Sequence, residues 1–171
     1  LEYMLKLPRY HHLREMREFP ETPLPYSFGP TGFKHYNHID EICASSDEAC
    51  SVVETLLDEV MAAHPASRYV HLGCDEAWNL LSCPDCLARY GENGKNRLYL
   101  GHINRLAARA LAAGKTPIVW DDMLRSFSDE ELELLDKRVV VMIWLYYESN
   151  YALAVKLARR FKQAGFTVLG A

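Results

Sequence analysis

The sequence predicts an α/β fold with a parallel sheet, and three observations carry that prediction. Short runs of β-branched and other apolar residues recur at 69–74 (YVHLGC), 116–120 (TPIVW), 139–144 (VVVMIW) and 166–169 (FTVL). Segments with apolar side chains three and four residues apart separate them, which gives the order β-α-β-α-β-α-β. Strands of one sheet joined by helical crossovers lie parallel, so the order dictates the topology. The third observation concerns the carboxyl ends of the strands, which carry Asp75-Glu76, Trp120-Asp121, and Trp144 with Tyr146. No GxGxxG or Walker sequence occurs, so the phosphate loops of a doubly wound nucleotide fold are absent. An aromatic and acidic mouth fits a barrel with a sugar-sized pocket better. A complete (β/α)8 TIM barrel takes about 250 residues, so four strands make up about half of one.

In chain order, 1–7 (LEYMLKL) and 11–19 (HHLREMREF) are read as helical. Four prolines (Pro20, Pro23, Pro25, Pro30) with Gly29 and Gly32 then predict a long ordered loop over 20–46, packed down by Tyr26, Phe28, Phe33 and Tyr36. Ser45 and Glu48 form a capping-box pattern ahead of a helix with Val53, Leu56, Leu57 and Val60 on one face, ending near His64 before Pro65. After the 69–74 strand, 79–96 is read as an extended connection bearing Cys83-Pro84-Asp85-Cys86. A helix over 98–113 turns Ile103, Leu106, Ala107, Ala110 and Leu111 inward and stops at Gly114. Ser128 and Glu131 make a second capping box, opening a helix through Leu135. The 139–144 run is apolar throughout, as a strand buried on both faces must be. A helix over 151–164 carries Leu153, Leu157 and Phe161 and is closed by Gly165.

Composition narrows the function classes. At 171 residues, 49% hydrophobic and 25% charged, the chain suits one compact unit. A net charge of −4 and only the scattered KNR (95–97) and ARR (158–160) argue against a nucleic-acid partner. No apolar run reaches the roughly 18–20 residues of a membrane span, and no signal-peptide pattern is visible, although the chain starts at Leu1. Five cysteines and no Asn-X-Ser/Thr acceptor lean toward thiols in a reducing compartment.

The chemistry centres on 68–78 (RYVHLGCDEAW), where two acids come directly after the strand. Strand carboxyl ends hold the reactive groups of parallel α/β folds, because the loops leaving there converge on one mouth. Paired carboxylates beside an aromatic suit acid–base work on a sugar. The structural alternative is an Asp that caps the next helix and a Glu in its first turn. Ordinary retaining glycosidases set two carboxylates about 5 Å apart across the scissile bond. Consecutive residues leave one point and straddle that bond poorly. They suit a reaction whose nucleophile belongs to the substrate.

HLGCDEAW at 71–78 resembles the His-X-Gly-X-Asp-Glu signature of glycoside hydrolase family 20, the β-N-acetylhexosaminidases. VWDDML at 119–124, MIWLYY at 142–147 and the N-terminal LEYMLKLPRYHHLREMREFP are similar to its hexosaminidase D branch, so the resemblance covers essentially all of 1–171 as a partial catalytic domain. The resemblance implies retaining hydrolysis of terminal β-linked N-acetylgalactosamine or N-acetylglucosamine through an oxazolinium intermediate. It makes Glu76 the general acid and later base, and Asp75 the group that orients the 2-acetamido arm and stabilises its positive charge. Such an acid must hold its proton near neutrality, which a partly desolvated place beside an anionic Asp75 favours. Trp120 and Trp144 would wall the acetamido pocket, with Asp121 and Tyr146 as hydrogen-bond partners. No cofactor or metal is implied, the partners are amino-sugar glycosides, and a cytoplasmic and nuclear setting is expected. The family's sugar-binding arginine and supporting His–Asp pair are expected before Leu1, and its Tyr and Trp–Glu pair after Ala171. His71 reads as a hydrogen-bonder within its strand.

Two rival readings remain at this level. A zinc hydrolase would use His71, Cys74, Cys83 and Cys86, although zinc deaminases want His-X-Glu and then Pro-Cys-X-X-Cys, an order this chain lacks. A non-catalytic truncated barrel or amino-sugar-binding module is the other, with open sheet edges that predict aggregation or a homodimer.

Overall fold

The computed structural model describes residues 42–171 apart from Asn79, Ser82 and Cys83. The readings of 1–19 as helical and of most of the 20–46 loop lie outside these residues. The described elements are helix α1 (Asp47–Ala63), strand β1 (Tyr69–Gly73), helices α2 (Pro84–Tyr90) and α3 (Lys95–Ala112), strand β2 (Thr116–Trp120), helix α4 (Asp129–Leu132), strand β3 (Val140–Ile143), helix α5 (Tyr151–Gln163) and strand β4 (Thr167–Gly170). Short 3-10 turns at Met123–Ser126 and Glu148–Asn150 come after β2 and β3.

All four strands are parallel and lie in the order β1-β2-β3-β4. Right-handed crossovers in a sheet that never reverses its order place every crossover helix on one face. A doubly wound sheet would turn back on itself, so the spatial order distinguishes the two architectures. The pleat then sorts the side chains. Val70, Leu72, Val119, Val141 and Ile143 join the core formed with Leu57, Leu98, Ile103, Leu106, Leu157 and Phe161 of the helices. The registers His71–Ile118, Ile118–Val140 and Trp120–Met142 put those residues on the opposite face. That second face carries the candidate pocket residues.

Four element boundaries differ from the sequence reading, each for a visible reason. Ser46, not Ser45, caps α1 by accepting a hydrogen bond from the Ala49 N–H at 3.2 Å. Ser45 is occupied elsewhere, with its hydroxyl 3.1 Å from the Cys86 sulfur. The connection over 79–96 contains helix α2, begun by Pro84, whose fixed φ and missing N–H suit a first helical position. Gly91, at φ +70°, ends α2, and at Gly94 a Cβ would meet the Tyr90 carbonyl oxygen at 2.3 Å. Two glycines thus let α3 start at Lys95, three residues early. Helix α4 has its predicted capping box but stops at Leu132. Asn104 of α3 captures the chain there, donating to the Leu134 carbonyl at 2.7 Å and accepting from the Asp136 N–H at 3.0 Å.

Lys115, only 7% exposed, joins the sheet to α1 by donating to the His64 and Ser67 carbonyls at 2.9 and 2.7 Å. No helix of the described residues is long and apolar enough to cross a membrane. Leu106 is fully buried where α3 meets the sheet. Leu106→Ala is expected to lower unfolding free energy by about 2–5 kcal/mol in denaturant titration. A loss under about 1 kcal/mol would contradict the packing described.

Candidate active site

Strand β1 ends in an unusual backbone. Gly73, Cys74 and Glu76 have φ of 72°, 66° and 49°, and the pairing with β2 slips between His71 and Gly73. Left-handed conformations are uncommon for residues other than glycine, so Cys74 and Glu76 are held there at a cost of about 1–2 kcal/mol each. Three side chains do the holding. His71 Nδ1 accepts from the Gly73 N–H at 2.9 Å. The hydroxyl of Tyr99, fully buried on α3, donates to the Cys74 carbonyl at 2.7 Å. Asp122 Oδ2 accepts from the Glu76 N–H at 2.8 Å. The turn is then closed by the Trp78 N–H, which donates to the Glu76 carbonyl at 2.9 Å, and by Lys95, whose ammonium donates to the Trp78 carbonyl. Asp75 and Glu76 emerge half-buried from this clamp.

The electrostatics stem from burial. Burial holds His71 down at about 4, so its imidazole is neutral at ordinary pH. With Nδ1 accepting, the proton sits on Nε2, a buried atom that finds no partner among the described residues. The ring lies 4.3 Å from that of Trp120, tilted by 47°. Burial likewise pushes the Tyr99 phenol well above its ordinary value.

The two acids after β2 divide the work. Asp121 is fully buried, and its two oxygens take the Arg125 guanidinium at 2.7 and 2.8 Å and the Trp144 backbone N–H at 3.2 Å. Arg125 also donates to the Trp144 carbonyl at 3.1 Å and lies over its ring at 5.5 Å. The sequence reading made Asp121 a sugar partner, but these bonds commit it to holding β3 against β2. Asp122 is the acid turned toward Glu76, and it also accepts from the Trp144 indole N–H at 3.4 Å. Sequence reasoning missed Asp122. Two adjacent acids at a strand end look alike until the backbone shows which way each one faces.

Trp120 and Trp144 are partly exposed at the ends of β2 and β3, and Tyr146 stands 68% exposed with its ring 5.6 Å from that of Trp144. The structure therefore brings Asp75, Glu76, Trp120 and Trp144 to one end of one sheet, with Tyr146 at its rim. Among the described residues, no three His, Cys, Asp or Glu side chains are placed to hold a metal ion. His71 serves Gly73, the Cys74 sulfur faces the Leu72 carbonyl at 3.6 Å, and Cys86 approaches Cys43, sulfur to sulfur, at 3.6 Å. Cys83 lies outside the described residues.

Burial, with repulsion from Asp75 and Asp121, pushes the Asp122 carboxyl from 3.8 up to about 6 against the opposing bonds from Glu76 and Trp144. A raised native value means that the protonated form is favoured by folding. This contribution to stability is complete below about pH 4 and is lost as pH rises through about 6. The gap of about two units corresponds to about 3 kcal/mol. Unfolding free energies of wild type and Asp122→Asn, compared from about pH 4 to about pH 7, are expected to shift in favour of the variant by about 1–3 kcal/mol. A difference that stays flat with pH would contradict the assignment.

Residues 14–168 match the catalytic domain of glycosyl hydrolase family 20. The chain is 29% identical to hexosaminidase D of Bos taurus, covering 100% of this chain and 46% of that protein. Against hexosaminidase D of Homo sapiens it is 27% identical, with 100% and 33% covered. It thus spans between a third and a half of these curated relatives. Among solved structures, a β-N-acetylhexosaminidase from Bacteroides fragilis superposes with a TM-score of 0.59 at 28% identity, over 80% of this chain and 27% of that one. An exo-β-N-acetylglucosaminidase from Vibrio harveyi, solved with N-acetylglucosamine, superposes with a TM-score of 0.62 at 21% identity, over 92% and 22%. The latter likeness concerns the fold alone, and the four strands with their helices are part of the (β/α)8 barrel of such enzymes. With the match spanning nearly its whole length, the chain belongs to glycosyl hydrolase family 20.

Proposed function

We propose that these residues are part of the catalytic domain of a retaining β-N-acetylhexosaminidase in which the substrate supplies its own nucleophile. The observation that carries this reading is the clamped turn of 73–76, which bears the consecutive acids Asp75 and Glu76 at the end of the sheet where β2 and β3 end in Trp120 and Trp144. Glu76 protonates the glycosidic oxygen as the leaving group departs. The carbonyl oxygen of the 2-acetamido group attacks the anomeric carbon, and Asp75 accepts from its N–H and stabilises the oxazolinium that forms. Glu76, now ionised, takes a proton from the water that opens the ring, so the anomeric configuration is retained. Trp120 and Trp144 offer flat apolar faces to the sugar and its acetamido methyl.

Family membership supports the substrate class, terminal β-linked N-acetylgalactosamine or N-acetylglucosamine, and the adjacency of the acids supports the substrate-assisted route. Release of a chromogenic phenol from both glycosides by the whole protein, its Glu76→Gln and its Asp75→Asn variants tests the reading. Turnover by wild type with a drop of about 10²–10⁴ in each variant is expected. A folded wild type with no turnover, or a Glu76→Gln variant with full activity, would sink it.

A further inference from the structure

We propose that Asp122 is a positioning residue, holding the backbone of the acid Glu76 and the indole of the pocket wall Trp144 in fixed relation to each other. The assignment rests on the hydrolase reading above. Asp122 comes just after β2, the strand that lies between β1 and β3, so a side chain there reaches both neighbours. Its Oδ2 receives the Glu76 N–H at 2.8 Å and its Oδ1 the Trp144 Nε1–H at 3.4 Å, while the residue is 9% exposed.

The chemistry of the two partners explains why an acid is needed. Both are N–H donors, and above about pH 6 the ionised Asp122 offers two acceptor oxygens and no proton between them. An amide in its place would turn an NH2 group toward one of the donors. Asp121 cannot substitute, because Arg125 and the Trp144 N–H occupy its oxygens. Glu76 also needs the bond for its shape. At φ +49° its backbone is in a region that a glutamate seldom adopts, and the bond from its N–H opposes relaxation toward an ordinary conformation. A relaxed Glu76 would aim its carboxyl elsewhere, and general-acid catalysis depends on aim within hydrogen-bond reach of the leaving oxygen.

A poorly aimed acid harms a reaction in proportion to how much the leaving group needs a proton. The test therefore compares kcat/KM of the whole protein and its Asp122→Asn variant on β-N-acetylhexosaminides whose leaving groups range from 2,4-dinitrophenol to a simple alcohol. The variant is expected to lose about 100-fold on the alkyl glycoside and under about 5-fold on the dinitrophenyl glycoside. Asp122→Ala, which removes both acceptors, is expected to steepen the trend. In a Glu76→Gln background Asp122→Asn is expected to add almost nothing, because both changes act through one group. A smaller folded fraction would lower every substrate equally, so a uniform loss, or no loss, overturns the assignment while leaving the hydrolase reading intact. A folded wild type inactive on all the glycosides overturns both.

Discussion

Backbone placement at the end of β1 is the constraint on which the rest depends. A strand that ended in ordinary geometry would send the next two side chains to opposite sides of the sheet, because the pleat alternates. Here Gly73, Cys74 and Glu76 all adopt positive φ, so the chain that carries Asp75 and Glu76 departs from that alternation. Each strained residue costs free energy, and three hydrogen bonds from different elements oppose its relaxation: His71 on β1, Tyr99 on α3 and Asp122 after β2. A hydrogen bond contributes about 1 kcal/mol net, so three are of the size needed to hold two left-handed residues.

These three supports are themselves fixed by packing. Tyr99 is fully buried and meets Phe127 edge to face at 5.7 Å, which ties the turn at 73–76 to the core under α3. His71 lies against Trp120, so one ring both sets the turn and backs the indole at the end of β2. Asp121 and Arg125 fix the backbone of Trp144 while Asp122 takes its indole. The two tryptophans and the turn that bears the acids thus share supports rather than standing independently.

Much of this was legible in the sequence, because the strongest signals were local. Four short apolar runs, three of them with acids or aromatics at their carboxyl ends, pointed to the parallel sheet and to the place of Asp75, Glu76, Trp120 and Trp144. The features that stayed hidden depended on long-range capture. Ser45 and Ser46 are equivalent caps until Cys86 engages one of them. The end of α4 depends on Asn104, which lies 30 residues from Leu134 in the chain. Helix α2 was hidden because a Cys-Pro-Asp-Cys turn and a helix begun by proline read alike. Asp121 and Asp122 differ only by the direction the chain takes as it leaves β2, a property no periodicity encodes.

In the proposed reaction the attacking group comes from the substrate, which is what lets the two acids sit next to each other at one strand end. The most direct measurement varies that group, comparing kcat of the whole protein on aryl glycosides whose acetamido methyl carries none, one, two or three fluorines. Fluorine drains electron density from the amide oxygen, so a steep and regular fall in kcat along the series is predicted. A rate indifferent to fluorination would contradict the account and require a nucleophile from the protein.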